Sequence, residues 1–247
     1  MDRALYISMT GAKHNMLEQA ARSHNLANVS TVGFKADLAN AMSQPVYGGD
    51  GHKSRVYAVA QTPGVNLSHG PMMQTGRELD VALDGDGWIA VQSANGDEAY
   101  TRGGNLSIDT VGMLRNERGL PVMGNAGPIA IPEAEKIEIG ADGTISVRAI
   151  GQGPETLVVV DRIKLVNPER ADVEKRQDGL IYSKNGIEPV DADIRVRTGF
   201  LESSNVNAVS ELTSIISLAR QFETQIKMMQ TISENAESSA RILQVQV

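Results

Sequence analysis

The sequence has no cysteine, so disulfide cross-links, thiolate metal sites and cysteine nucleophiles are excluded together. Aromatic residues are scarce, 4% with one tryptophan, so any core must be built mainly from aliphatic side chains. Positive charge is in deficit. Over 247 residues, 23 Lys and Arg face 30 Asp and Glu, a net charge of -7, which argues against a nucleic-acid partner that needs a basic footprint. No run approaches the roughly 18 apolar residues of a membrane span, so no direct membrane insertion is expected. The opening does not read as a secretory signal either. Asp2 and Arg3 nearly cancel, and the apolar patch from Leu5 to Met9 is shorter than a signal core, so any export is expected to leave the chain uncut.

What is present falls into zones of different period. Between Arg3 and Asn28 there is no proline and a single glycine, Gly11. Leu5, Met9, Ala12, Met16 and Leu26 share one heptad phase through Gln19 and Ser23, which predicts a helix with one seam, and Gly33 supplies a cheap change of direction after it. The far end carries the clearest pattern. Ala208, Leu212, Ile215, Ala219, Phe222, Ile226, Met229, Ser233, Ala236, Ala240 and Leu243 follow one heptad phase, without Pro or Gly. That spacing predicts one helix of roughly 50 Å. Asn205 and Asn207 are its candidate N-caps, and Glu211 lies in the first turn, where the helix dipole favours an acid.

The middle reads as strands. Val81–Leu83, Trp88–Val91, Ala99–Thr101, Ile137–Ile139 and Thr144–Val147 are punctuated by Gly85-Asp86-Gly87, Asn95-Gly96 and Asp142-Gly143. A Val- and Ile-rich run covers Thr156 to Val166, and Asn185-Gly186 marks a further turn. Short strands with regular turn signals favour an antiparallel β domain over a βαβ unit. Residues 36 to 75, rich in Pro and Gly, read as an extended connector with a short strand near Arg55 to Ala60. The expected fold class is therefore α+β: long N- and C-terminal helices paired as a coiled coil, with a central, mainly antiparallel β domain. The expected divisions are 1–35 for the first helix, 36–75 for the connector, 76–200 for the β domain and 201–247 for the second helix.

No motif assigns catalysis. Gly85-Asp86-Gly87-Trp88-Ile89-Ala90 fits the spacing of a dinucleotide loop, but that mechanism needs a helix right after the glycines, and strand formers follow, so a glycine-rich hairpin turn is expected. Asp80, Asp84 and Asp86 fail the calcium-loop pattern, because Trp88 and Asn95 fall where ligands are needed. His14, His24, His52 and His69 share no metal-ligand spacing, and there is no nucleophile elbow or phosphate loop. Neither an enzyme nor a cofactor or metal site is expected. The terminal helices remain. Val209, Ile216, Ile232 and Ile242 lie off the main seam, and apolar stripes of that length imply partners.

The segment Ser23-His24-Asn25-Leu26-Ala27-Asn28-Val29-Ser30-Thr31-Val32-Gly33-Phe34-Lys35 resembles the amino-terminal signature of the flagellar rod and hook protein family, with His24 in place of the usual Asn. Leu201-Glu202-Ser203-Ser204-Asn205-Val206-Asn207, Arg220-Gln221-Phe222-Glu223 and Lys227-Met228-Met229-Gln230-Thr231 resemble the family's carboxy-terminal helix. Between them, Glu78 to Gly87 and Thr101-Arg102-Gly103-Gly104 resemble its central motifs, with Leu106 where Phe is usual. The resemblance implies a structural subunit of the bacterial flagellar basal body, in the proximal part of the rod by its opening and length. It implies export by the flagellar type III apparatus without a cleaved signal, and a place in the periplasm. The implied partners are other rod subunits and copies of the chain itself. The distal rod subunit is the alternative, and a secreted β-domain binding module with a helical stalk a further one. Expected subunit-interface residues are Leu5, Met9, Met16, Asn25, Leu26, Asn28, Phe34, Leu212, Ile215, Phe222, Ile226 and Met229. Asn25 and Asn28 read equally as register-setting residues or as helix-end caps.

Overall fold

The computed structural model of the chain describes residues 3–39, 41–45, 56–60, 64–151 and 156–244. His52 and parts of the expected connector lie outside the described residues, as does the side chain of Leu243. The chain divides into two compact units, one made of Met1–Val29, Ala36–Asn66 and Val206–Val247, the other of Ser30–Lys35 and Leu67–Asn205.

The first unit is built on two helices, α1 (Arg3–Ala27) and, at the far end of the chain, α2 (Ala208–Gln244). Between them in sequence come β1 (Asp37–Leu38), β2 (Ala41–Pro45), β3 (Val56–Ala60) and β4 (Gly64–Val65). β1 pairs with β4 and β2 with β3, both antiparallel, and α1 contacts β1, β3 and α2. Asn207 caps α2: its Oδ1 accepts the amides of Val209 and Ser210, each at 3.1 Å.

The helices do not form the long coiled-coil pair that the heptads suggest, although α+β describes the chain. α1 has 25 residues against 37 in α2, and residues 233–242 of α2 are all exposed. The expected seam holds only in part. Ala12 is buried as expected, but Met9, Met16 and Leu212 are 48%, 59% and 48% exposed, and Ser8 and Asn15, each one position before a seam residue, are buried instead. Side by side and antiparallel, the helices meet through Arg22 Nη1 and Glu211 Oε1 at 3.2 Å. Earlier on α1, a methyl group placed on Gly11 would come within 3.2 Å of the Gln225 side chain. Gly11 thus leaves room for the Gln225 side chain, which a larger residue would press against. A straight helix at 3.6 residues per turn also drifts from a heptad line by about 20° per repeat unless it supercoils.

The second unit contains β5 (Met72–Gln74), β6 (Val81–Asp84), β7 (Trp88–Gln92), β8 (Glu98–Thr101), β9 (Leu106–Ile108) and β10 (Leu114–Asn116). It continues with β11 (Ala134–Ile139), β12 (Thr144–Ala149), β13 (Val158–Arg162), β14 (Leu165–Val166), β15 (Val173–Lys175) and β16 (Ile181–Ser183). β17 (Arg195–Thr198) and β18 (Phe200–Glu202) close it. The strands form small sheets: β14-β7-β8-β16-β15, β11-β12-β13, and the pairs β9/β10, β6/β17 and β5/β18. All described pairings in this unit are antiparallel.

The turns Asn95-Gly96 and Asp142-Gly143 make hairpins, β7/β8 and β11/β12, with Gly96 at φ 90° and Gly143 at φ 84°. Gly85-Asp86-Gly87 does not. β6 pairs with β17 and β7 with β8 and β14, so this turn passes the chain from one sheet to another instead of closing a hairpin. Likewise the run Thr156 to Val166 splits between β13 and β14, which belong to different sheets. Both corrections have one cause: local turn chemistry sets a change of direction but not which strand becomes the neighbour.

The sheets enclose one aliphatic core that includes Val81, Leu83, Ile89, Val91, Leu106, Leu114, Ile129, Ile145, Ile163 and Leu165. Leu106, which stands where an aromatic was expected, is fully buried. Leu106→Ala should therefore cost about 2–5 kcal/mol by leaving a cavity. A lowered urea midpoint for the second unit, with unchanged far-ultraviolet helix signal, is the expected result; an unmoved midpoint would count against this core.

Candidate assembly interface

Three segments far apart in sequence meet in the second unit. Lys35, Arg102 and Glu202 are only 3%, 4% and 2% exposed and form one ion triad. Lys35 Nζ donates to Glu202 Oε1 at 2.6 Å and to the Ser68 carbonyl at 2.8 Å. Arg102 donates to Glu202 Oε2 at 2.8 Å and to the Gly85 carbonyl at 2.8 Å. The Gly70 amide gives Glu202 Oε1 a further bond at 3.0 Å. Charges this deeply placed are tolerated only when paired and hydrogen-bonded.

The backbone around the triad is as tightly determined as its charges. The Gly33 amide donates to the Glu202 carbonyl at 2.7 Å, and the Asn205 amide to the Phe34 carbonyl at 3.3 Å. Gly33 has φ 68° and lies so close to the backbone of Arg102 and Gly103 that a Cβ would collide with both. Only glycine meets both demands. Lys175 stacks its ammonium 4.0 Å from the Phe34 ring centre and donates to the Lys35 carbonyl at 2.7 Å. The chain segment after α1 and the segment before α2 are thus bonded to each other.

Electrostatics follow from this packing. Burial alone would raise the Glu202 carboxyl, but the Lys35 hydrogen bond, the Arg102 charge and the Gly70 amide outweigh it and hold the group below its ordinary value. Burial pulls the Lys35 ammonium and the Arg102 guanidinium down, against the attraction of Glu202. Asp109, held low by the Arg115 hydrogen bond, and Asp142, held low by Thr144, act in the same acid range.

All three triad residues lie inside motifs of the sequence, but nothing in their spacing joins them. A usable signal was there: a cation fixed beside Gly33-Phe34 and an acid ending the apolar strand β18 each need a partner.

The expected interface positions lie elsewhere, mostly on the two helices. Met9, Met16 and Leu212 are exposed; Leu5, Leu26, Asn28, Phe34, Ile215, Phe222, Ile226 and Met229 are half-buried. Asn25 is fully buried, and its side chain is spent on the backbone of β1: Nδ2 donates to the Asp37 carbonyl at 2.9 Å and Oδ1 accepts the Asp37 amide at 2.8 Å. Asn28 Nδ2 donates to the His24 carbonyl at 2.9 Å, capping the end of α1. Off the main seam, Val209, Ile216 and Ile242 are exposed, as is Met228. No described helix is long and apolar enough to cross a membrane.

Comparison with known proteins agrees at both levels. Residues 197–242 match the family described as flagellar basal body rod FlgEFG protein C-terminal, and residues 82–147 match the flagellar hook protein FlgE/F/G D1 domain. The flagellar basal-body rod protein FlgF of Escherichia coli is 41% identical, over 98% of this chain and 99% of its own length. FlgF of Salmonella typhimurium is 40% identical over the same shares. The rod protein FlgG of Bacillus subtilis is 30% identical over 95% of this chain and 96% of its own.

The depressed carboxylate gives a pH dependence with a definite sign. Glu202 contributes stability that is fully present above its unfolded value and is lost as pH falls through its lower folded value. The urea midpoint of the second unit should therefore decline below about pH 4. In Glu202→Gln, already less stable near neutrality, the decline should be shallower, because only Asp109, Asp142 and lesser groups remain to titrate. Parallel pH profiles for the two proteins would contradict the assignment.

Proposed function

The chain belongs to the flagellar basal-body rod protein family, and we propose that it builds the rod by packing the exposed apolar faces of its terminal helices against neighbouring subunits. It is a structural subunit of the rod, of the proximal type, since the FlgF relatives at 41% and 40% identity stand above the FlgG relative at 30%. Its place is the flagellar basal body, among other rod subunits.

The observation that carries the assembly reading is the apolar surface that α1 and α2 leave uncovered within the chain. Met9, Met16 and Leu17 on α1 and Val209, Leu212, Ile216, Met228 and Ile242 on α2 are all exposed. Such side chains are individually unremarkable, but along two helices they make a surface whose burial favours association. Head-to-tail contacts that do not close a ring generate a helical polymer, which is the form a torque-bearing hollow shaft requires. Interface residues in this reading are the exposed Met9, Met16 and Leu212, with half-buried Leu5, Leu26, Asn28, Phe34, Ile215, Phe222, Ile226 and Met229 beside them. Asn25 serves the same surface by fixing β1 to α1.

The divisions at 1–35, 36–75, 76–200 and 201–247 correspond in this reading to helix, connector, β domain and helix. Export through the flagellar type III apparatus, uncut, would deliver the chain to the periplasm for assembly with copies of itself and other rod subunits. A catalytic role and a cofactor form no part of this proposal.

Changing exposed positions tests the surface without disturbing the fold. Leu212→Asp combined with Ile216→Asp should leave the unfolding free energy within about 1 kcal/mol of the parent, as two exposed substitutions do. The same variant should abolish swimming and leave basal bodies without a complete rod. Full motility at normal protein levels would remove α2 from the interface.

A further inference from the structure

Glu202 sits in the last strand of the second unit, whereas the two cations it neutralises lie 167 and 100 positions earlier. A chain made from its amino terminus therefore holds Lys35, Arg102 and nearly every core strand before it holds their counter-ion. Without Glu202, closing the unit would bury two like charges whose other hydrogen-bond acceptors are the neutral carbonyls of Ser68 and Gly85. Asp86 also attracts both cations, but it is exposed and already engaged with His69 at 3.2 Å and Arg170 at 3.3 Å.

The same segment completes the backbone. β18 pairs with β5, the Ser203 amide donates to the Pro71 carbonyl at 2.9 Å, and the Glu202 carbonyl receives the Gly33 amide. Residue 70 must lack a Cβ because Ser203 lies against it. Carboxylate and strand thus arrive together, and each satisfies groups left open by both earlier segments.

We propose that Glu202 is a completion latch: the second unit reaches its packed state only when the segment 200–205 closes over Lys35 and Arg102. An incomplete chain stays open on this side, because the segment that covers the two cations is also the one that carries their counter-ion.

The test is pulsed hydrogen exchange with mass spectrometry during refolding of the full-length chain from urea. Peptides from β6, β7 and β8 should gain protection in the same kinetic phase as peptides spanning 200–205. Glu202→Gln should lower core protection on the order of 10²- to 10³-fold, as breaking one side of a buried pair does. A chain carrying Lys35→Met, Arg102→Met and Glu202→Met together should protect its core before 200–205 docks, because no charge then waits for a partner. Protection of the parent core ahead of 200–205 would overturn the latch, and so would an unchanged order in the triple variant. If the triple variant does not fold, the order of protection in the parent chain decides alone. Failure of rod assembly in cells would leave these results untouched, so the two readings fail separately.

Discussion

One carboxylate between two buried cations holds the second unit together. Glu202 receives Lys35, Arg102 and the Gly70 amide, and its own carbonyl receives Gly33. Removing one member of such a group costs far more than the group is worth as a whole, because the remaining charges stay buried and unpaired. The neighbouring constraints follow from it. Gly33 has a positive φ where the chain passes the Arg102 backbone, Phe34 lies under Lys175, and β18 must run beside β5 to bring the carboxylate in.

The terminal helices obey a different balance. Where they meet, the contact uses Gly11 with Gln225 and Arg22 with Glu211, and buried positions on α1 are small or polar: Ser8, Ala12 and Asn15. The larger side chains, Met9, Met16, Leu212 and Ile216, remain outside. Leu218 of α2 is buried, but a pair that leaves this many large apolar side chains exposed still has apolar surface to bury against neighbours. That division suits a subunit whose helices find further apolar contact in a polymer.

Much of this was legible in the sequence and some was not, for physical reasons. The long heptad pattern from Ala208 gives α2, Asn207 its cap, and Asn95-Gly96 and Asp142-Gly143 their hairpins, because each depends on residues close in the chain. The inward face of α1 is met instead by residues far away in the chain, Gln225 at Gly11 and Glu211 at Arg22, which periodicity does not contain. Sheet membership of β6, β7, β13 and β14 is likewise set by distant strands. The triad was visible only as three unrelated charges within three motifs. Its partners are too far apart for spacing rules to join them, and the family resemblance marked the segments without saying why they belong together.

On this geometry Lys35 and Glu202 act as a coupled pair and not as two independently buried residues. A double-mutant cycle on the full-length chain measures this directly, using Lys35→Met, Glu202→Gln and the combination, with stability read from urea unfolding near pH 7. The double variant should be less damaged than the sum of the two single ones by about 2 kcal/mol or more, since removing Lys35 as well relieves one of the two cations that Glu202→Gln leaves unpaired. Strict additivity would contradict it, and would mean that the triad is a coincidence of packing.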